Sequence, residues 1–273
     1  MKRKMILMIA AFAVVALSLT ACGHEGGNEE EGGGGSGSQE YPSTADVIRN
    51  AVKDIDGNKY DAVKIGNQVW MASNLRTTRY ADGTAIPLGE TTSSTEPYRY
   101  APGTYQNNEE NMVNVPAYGY LYNWAAVMHG AASSDANPSR VQGICPKGWH
   151  VPSDAEWTQL TDYMATRPEY MSSGNRDHLA KALAATWGWE SSSDPDAVGY
   201  EPSTTNNATG FSAFPAGYYG GGYYVFGYYA GFWSSTEYNS NDAWGRGLGC
   251  NYADVGRYNY YKDYGFSVRC VRD

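Results

Sequence analysis

The sequence lacks the motifs on which most hydrolases, nucleotide enzymes and zinc sites depend. Its four histidines, His24, His129, His150 and His178, are scattered, and no pair has the spacing of a zinc-binding motif. No G-x-S-x-G nucleophile motif occurs, and no glycine-rich phosphate loop follows a strand and opens a helix. These absences argue against a histidine metal site, a serine hydrolase and a nucleotide-binding enzyme.

Positive charge is also scarce. The chain has 20 Lys and Arg against 29 Asp and Glu, which gives a formal net charge of −9. An acidic surface repels the phosphate backbone of nucleic acid and the headgroups of anionic lipid. We therefore expect no nucleic-acid partner. Any contact with a membrane would have to come from an attached lipid and not from electrostatic attraction.

The hydrophobic run near the N-terminus is too short to cross a bilayer, because residues 5–19 provide 15 residues and a spanning helix needs about 20. It follows three basic residues and precedes Leu19-Thr20-Ala21-Cys22, which is the order of a secretory signal. Those four residues resemble the bacterial lipobox, whose cysteine is lipidated and becomes the first residue of the mature protein. We interpret residues 1–21 as a signal peptide and Cys22 as the lipidation site. The alternative is an ordinary signal peptide that ends near a cysteine.

Residues 22–45 have the composition of a flexible tether, rich in Glu, Gly and Ser and unable to bury a core. The cluster Glu29 to Glu31 resembles the surface-export signals of bacterial lipoproteins, although a solubilising charge run would look the same. Removal of the signal peptide takes away three basic residues and no acidic one, so the formal charge changes from −9 to −12. We expect a surface-exposed outer-membrane lipoprotein whose membrane contact is the lipid on Cys22.

Residues 46–273 are predicted to form one α+β domain. The turn dipeptides Asp56-Gly57 and Gly66-Asn67 lie between short apolar segments, which predicts hairpins at its start. Ser153 and Glu156 have the spacing of a capping box, which predicts the first turn of a helix with Trp157 on its buried face.

Apolar spacing predicts further elements. Residues 119–129 show helical periodicity and end at Gly130, and a second amphipathic stretch at 179–187 would bury Trp187. Segments 244–250 and 266–271 are typical of strands. This order predicts an α+β fold with short strands, two to three helices and long irregular Tyr/Gly-rich loops.

Several segments together resemble the Fibrobacter succinogenes major paralogous domain, a family of secreted and lipid-anchored bacterial proteins. In family order they are Asp54–Asn58, Ile65–Leu75, Tyr118–Trp124, Cys145–Trp157, Phe232–Glu237 and Gly265–Val271. That family is similar to C-type-lectin-like domains and to the formylglycine-generating enzymes. The resemblance implies a C-type-lectin-like fold and an exported location, and it leaves the function open because fold does not settle function.

The resemblance also bears on the cysteines that remain after Cys22. Cys145 and Cys270 lie in matching motifs, and lectin-like domains commonly tie the last strand back to the helical half, which implies a Cys145–Cys270 disulfide. Cys250 is then either a buried apolar residue or a reactive thiol. The related enzymes carry two reactive cysteines five residues apart, whereas Val255 stands five residues after Cys250.

Calcium and other cofactors are not expected. The segment Asp54–Asn58 has oxygen ligands at alternate positions but lacks the later glutamate of a calcium loop, so a tight turn is the better interpretation. The sugar-binding tripeptides of calcium-dependent lectins do not occur. We predict no metal site and no cofactor.

Tyrosine is the most unusual feature of the composition, with 24 residues in the chain. The candidate ligand-binding residues are Tyr218, Tyr219, Tyr223, Tyr224, Tyr228, Tyr229 and Trp233. Tyrosine offers a flat apolar face and a polar tip, which suits a sugar or a protein partner, but such a segment can equally fill its own core.

The sequence favours a non-catalytic cell-surface module that binds or adheres to an extracellular glycan or protein. One alternative is an oxidase related to the formylglycine-generating enzymes. The other is a structural component of the cell envelope.

Overall fold

The computed structural model describes residues 41–273. The predicted signal peptide, Cys22 and most of the predicted tether lie outside the described residues. The strands are β1 (Asp46–Lys53), β2 (Lys59–Ile65), β3 (Gln68–Met71), β4 (Arg99–Tyr100), β5 (Leu121–Tyr122), β6 (Trp149–His150), β7 (Tyr218–Tyr219), β8 (Tyr223–Tyr224), β9 (Tyr229–Glu237), β10 (Asp242–Gly249), β11 (Gly256–Tyr261) and β12 (Val271–Arg272). The helices are α1 (Asn108–Asn111), α2 (Val115–Tyr118), α3 (Trp124–Met128), α4 (Asp154–Met164) and α5 (Ala180–Leu183). Short helices among antiparallel sheets confirm the α+β class.

The larger sheet has five strands in the order β1-β2-β3-β12-β6. Its first hairpin turns at residues 54–58, where the Asp54 carboxylate accepts hydrogen bonds from the Asn58 amide at 2.9 Å and from the Tyr60 hydroxyl at 2.6 Å. Protein donors thus satisfy this carboxylate, which supports a tight turn at this place. The last strand, β12, lies between β3 and β6, so the C-terminus completes the sheet that the domain begins.

A second sheet, of order β11-β10-β9, packs near helix α4. The capping box is confirmed, since Ser153 accepts from the Glu156 amide and Glu156 accepts from the Ser153 amide. Trp157 is wholly buried, and its ring lies 4.5 Å from that of Trp70 in the larger sheet. Helix α4 therefore carries the aromatic core that joins the two sheets.

A buried arginine crosslinks the centre of the domain. Arg269 has no solvent exposure, and its guanidinium donates to Asn74 Oδ1 at 2.7 Å, to the Met71 carbonyl at 2.8 Å and to the carbonyls of Phe211 and Ser212. Burial lowers its pKa to about 9. These acceptors satisfy a charge that would otherwise be costly to bury.

The predicted helix at 119–129 is wrong in its first half. Residues 121–122 form strand β5, and α3 begins only after Asn123, whose side chain caps it by accepting from the Ala126 amide at 3.1 Å. Gly119 has a φ of +74°, a left-handed conformation that interrupts a helix. An Asn at an N-cap starts a helix where apolar periodicity alone would extend it backwards.

Two other sequence predictions are corrected. The amphipathic stretch at 179–187 forms only the four-residue helix α5, and Trp187 is half exposed and packs on Tyr118 and Phe214. Of the predicted strand at 266–271, only Val271 lies in a regular strand, β12. Phe266 instead makes an isolated bridge to Tyr122. Such irregular pairing follows tertiary contacts, which local periodicity does not encode.

A disulfide joins Cys145 to Cys270, as the family resemblance implies. Cys250 lies outside this disulfide and is 3% exposed, which agrees with a buried apolar role.

No helix within residues 41–273 is long and apolar enough to cross a membrane.

Candidate functional site

The first part of the Tyr/Gly-rich segment is a β-hairpin. Strands β7 and β8 pair with Tyr218 opposite Tyr224 and Tyr219 opposite Tyr223, and Gly220–Gly222 form the connection. Successive side chains of a strand point to opposite faces. Tyr219 and Tyr223 therefore face inward, while Tyr218 and Tyr224 lie on the outward face, where the Tyr218 ring still packs in part on the buried Phe266.

The inward pair belongs to the core. Tyr219 is 5% exposed, stacks on Tyr100 with ring centroids 3.9 Å apart and donates its hydroxyl to the Glu90 carbonyl at 2.9 Å. Tyr223 is 7% exposed and donates to Asn108 Oδ1 at 2.7 Å. Both hydroxyls are satisfied internally, so these residues hold the hairpin down.

The end of the predicted ligand-binding set also packs inward. Trp233 has no exposure and donates its indole N–H to the Tyr122 carbonyl at 2.8 Å. Tyr229 is buried, and its hydroxyl shares a hydrogen bond with that of Tyr260. The rings of Tyr229 and Trp233 therefore fill the interior, where no ligand would reach them, whereas Tyr219 and Tyr223 are buried except for the ring edges that line the cleft described below. Tyr228 is half-buried.

The outward pair is part of a larger surface feature, which we call the tyrosine row: Tyr224, Tyr218, Tyr264 and Tyr261. The ring of Tyr218 stacks between Tyr224, with centroids 5.2 Å apart, and Tyr264, at 5.5 Å. Tyr261 meets Tyr264 edge to face at 5.6 Å. The middle two rings are half-buried, whereas Tyr224 and Tyr261 are 48% and 54% exposed. The open ring surface thus lies at the two ends of the row.

Backbone pairing brings the two halves of the row together. Tyr219 and Gly265 exchange two hydrogen bonds, of 3.0 Å and 2.8 Å, which place the turn at 261–265 beside the hairpin. Gly265 is required there, since a Cβ atom at this position would lie 2.7 Å from the Tyr100 ring. The row is consequently assembled on a fixed backbone, which reduces the entropy lost on binding.

The two middle hydroxyls of the row, those of Tyr218 and Tyr264, remain protonated at neutral pH. Burial and the neighbouring phenol groups raise the pKa of Tyr218 above its ordinary value. Burial and the adjacent Asp263 carboxylate raise the pKa of Tyr264 in the same direction. A neutral phenol both donates and accepts hydrogen bonds. The row can therefore offer apolar faces and hydrogen-bonding groups to one ligand.

A cleft of about 620 Å³ adjoins the hairpin. We call it the polar cleft, and its polar side chains are Glu90, Gln106, Asn107, Asn108, Glu109 and Glu110. Leu88, Met112 and the edges of Tyr219 and Tyr223 complete its walls. Among residues 41–273, no lysine, arginine or histidine lines the cleft. It is an acidic, amide-rich depression next to exposed aromatic rings.

His150 is the most conspicuous titratable group elsewhere. Its Nε2 lies 2.7 Å from Glu156 Oε1 and its Nδ1 lies 2.6 Å from Asp273 Oδ1. Burial favours the neutral ring, but the bonds to the two carboxylates outweigh it and raise the pKa of His150. A histidine held on both sides has no ring nitrogen left for a substrate, so this triad fastens the C-terminus. Within residues 41–273 no group of three His, Cys, Asp or Glu side chains could hold a metal ion.

The sequence predicts two members of the tyrosine row, Tyr218 and Tyr224, but it does not predict Tyr261, Tyr264 or the polar cleft. Period-two alternation in Tyr218-Tyr219 and Tyr223-Tyr224 around three glycines was a hairpin signal that would have separated inward from outward rings. Nothing local links Tyr264 to Tyr218, because the bridge between Tyr219 and Gly265 is a long-range contact.

Comparison with known proteins places the chain in a family. Neither the curated proteins nor the solved structures contain a match. The model of the Fibrobacter succinogenes major domain matches residues 63–272, which is most of the chain. The chain therefore belongs to the Fibrobacter succinogenes major domain family.

Proposed function

We propose that this domain is a non-catalytic binding module for an extracellular glycan. The observation that carries the proposal is the tyrosine row, a rigid set of stacked rings whose two ends, Tyr224 and Tyr261, are open to solvent. Sugar rings have one apolar C–H side that packs on an aromatic face, and hydroxyls around the edge that need polar partners. The row and the polar cleft supply both kinds of contact side by side.

A rigid aromatic surface of this kind suits binding better than it suits catalysis. The row contains only phenols, and the raised pKa values of Tyr218 and Tyr264 keep these two from acting as bases near neutral pH. The expected outcome is recognition of a ligand without chemical change.

The oxidase alternative finds little support among the described residues. Cys250 is buried, Val255 occupies the position of a second cysteine, and Cys145 and Cys270 are bonded to each other. A soft metal such as copper(I) needs accessible thiolate ligands. The envelope-component alternative has no specific observation in its favour.

We further propose that the α+β domain is C-type-lectin-like and is held at the cell surface by lipid on Cys22. The insertion of β12 between β3 and β6, together with the Cys145–Cys270 crosslink, supports a lectin-like closure of the C-terminus onto the start of the domain. The lipobox-like sequence before Cys22 supports the anchor, and the Gly/Ser-rich residues that follow would let the domain reach away from the membrane.

A glycan array probed with the purified protein tests the binding proposal. We expect saturable binding to a subset of glycans, and chromatography of a bound oligosaccharide after prolonged incubation should recover it unchanged. Binding to none of the glycans would contradict the glycan proposal. Recovery of a cleaved or oxidised product would contradict the non-catalytic one.

A further inference from the structure

The polar cleft and the tyrosine row meet at the hairpin. Tyr223 lines the cleft, and the next residue, Tyr224, is the exposed end of the row. A Cβ atom on Gly222 would lie 2.9 Å from Gln106 Oε1 and 3.3 Å from the Tyr224 hydroxyl. A wall of the cleft and the end of the row therefore approach the same backbone position, and one ligand can touch both.

Gln106 fixes this junction. Its side-chain oxygen accepts from the Tyr223 amide at 3.3 Å, and its side-chain nitrogen donates to the Tyr223 carbonyl at 3.4 Å. The amide thus pairs with the outer edge of β8 and holds the cleft wall against the hairpin.

The cleft also holds unused hydrogen-bond acceptors. Within residues 41–273, the side-chain carboxylates of Glu90 and Glu109 make no hydrogen bond or ion pair, while the Glu110 carboxylate accepts from Asn107 at 2.8 Å. A carboxylate accepts at both oxygens, which matches adjacent hydroxyls of a sugar ring. In the described part of the chain, no basic side chain lines the cleft to balance a negative ligand.

We infer that the polar cleft is a second subsite of the same glycan site and that the site takes an uncharged glycan. One sugar unit lies in the cleft and donates its hydroxyls to Glu90 and Glu109, while the neighbouring unit packs on Tyr224. Glycans that carry carboxylate or sulfate at the cleft are rejected, because their charge meets unpaired carboxylates. This inference rests on the proposed function and adds the ligand class and a second set of contacts.

The test compares variants on an array that displays neutral glycans together with uronate-containing, sialylated and sulfated ones. Wild-type protein should bind neutral glycans only. Glu90→Ala and Glu109→Ala should each weaken that binding roughly tenfold, because a hydrogen bond to a charged group is lost. Glu169→Ala, which removes an exposed carboxylate outside the cleft, is the matched control and should bind as wild type does.

A charge-neutral double variant separates hydrogen bonding from charge. Glu90→Gln with Glu109→Gln keeps acceptor oxygens, so binding to neutral glycans should stay within about threefold of wild type, while binding to acidic relatives should appear. Melting temperatures establish that each variant is folded.

The outcomes distinguish failure of the cleft subsite from failure of the proposed glycan-binding function. Binding that is lost in Tyr224→Ala but unchanged in Glu90→Ala and Glu109→Ala would overturn the cleft subsite and leave the glycan proposal standing. Wild-type binding to acidic glycans would overturn the inferred ligand class. Binding to no glycan at all would overturn the proposed function, and the inference with it.

Discussion

The ring of Tyr218 stacks on that of Tyr264 with the planes only 17° apart, although the two residues belong to different segments. The contact exists because Tyr219 and Gly265 pair through their backbones directly beneath it. The same hairpin buries Tyr219 against Tyr100 on its other face. One short element therefore has a structural face and an exposed face, and the two faces should respond differently to substitution.

Replacement of the inward ring should cost stability. Tyr219→Ala removes a buried stacked ring and is expected to lower the free energy of unfolding by roughly 3 to 5 kcal/mol. Tyr219→Phe keeps the ring and loses only the hydrogen bond to the Glu90 carbonyl, so its cost should be about 1 kcal/mol. Urea denaturation measures both. Equal costs for the two variants would show that ring packing is not what holds the hairpin.

The disulfide should contribute strongly to stability. Cys145 and Cys270 are 125 residues apart in sequence, and closing so long a loop restricts the unfolded chain by about 4 to 5 kcal/mol in the chain-entropy model. Reduction, or Cys145→Ser with Cys270→Ser, should lower the melting temperature substantially. Non-reducing peptide mapping should recover Cys145 joined to Cys270, and a peptide that joins Cys250 to either residue would refute the pairing.

The stabilising contribution of His150 should fall as the pH rises above 6.5, the ordinary pKa of histidine. The pKa of His150 is raised in the folded protein, so its contribution is fully present below the ordinary histidine pKa of 6.5 and is lost as the pH passes the folded value. His150→Gln should remove this component of the pH dependence, and Asp273→Asn should reduce it. Denaturation at pH 6 and at pH 9 measures the effect. An equal pH dependence in wild type and His150→Gln would contradict it.

Lipidation at Cys22 should decide where the protein is found. The wild-type chain is expected to partition into the detergent phase and to incorporate labelled fatty acid. Cys22→Ala should do neither. Acylation that persists in Cys22→Ala would refute the lipobox interpretation.

Sequence could predict those parts of the fold that short segments specify. Four consecutive residues, from Ser153 to Glu156, contain the capping box that starts helix α4. Five residues, from Asp54 to Asn58, form the first turn. Local sequence therefore predicts both features. The predicted helix at 119–129 begins too early, because apolar periodicity does not register the side-chain hydrogen bond by which Asn123 caps the start of α3.

The candidate site depended on longer-range contacts. Composition drew attention to the tyrosines between 218 and 229, but composition cannot tell Tyr224, which is 48% exposed, from Tyr223, which is 7% exposed. The partners that complete the row, Tyr261 and Tyr264, come from the end of β11 and the turn after it. Only tertiary structure brings them beside the hairpin.

The most direct test of the glycan proposal compares glycan affinity and melting temperature for Tyr224→Ala, Tyr261→Ala and the control Tyr200→Ala. Tyr200 is also exposed, at 38%, and lies outside the row and the cleft. Each row variant should lose about tenfold or more in affinity for any glycan that wild type binds, with a nearly unchanged melting temperature, while Tyr200→Ala should bind as wild type does. Unchanged affinity in Tyr224→Ala and Tyr261→Ala, or a loss matched by Tyr200→Ala, would contradict it.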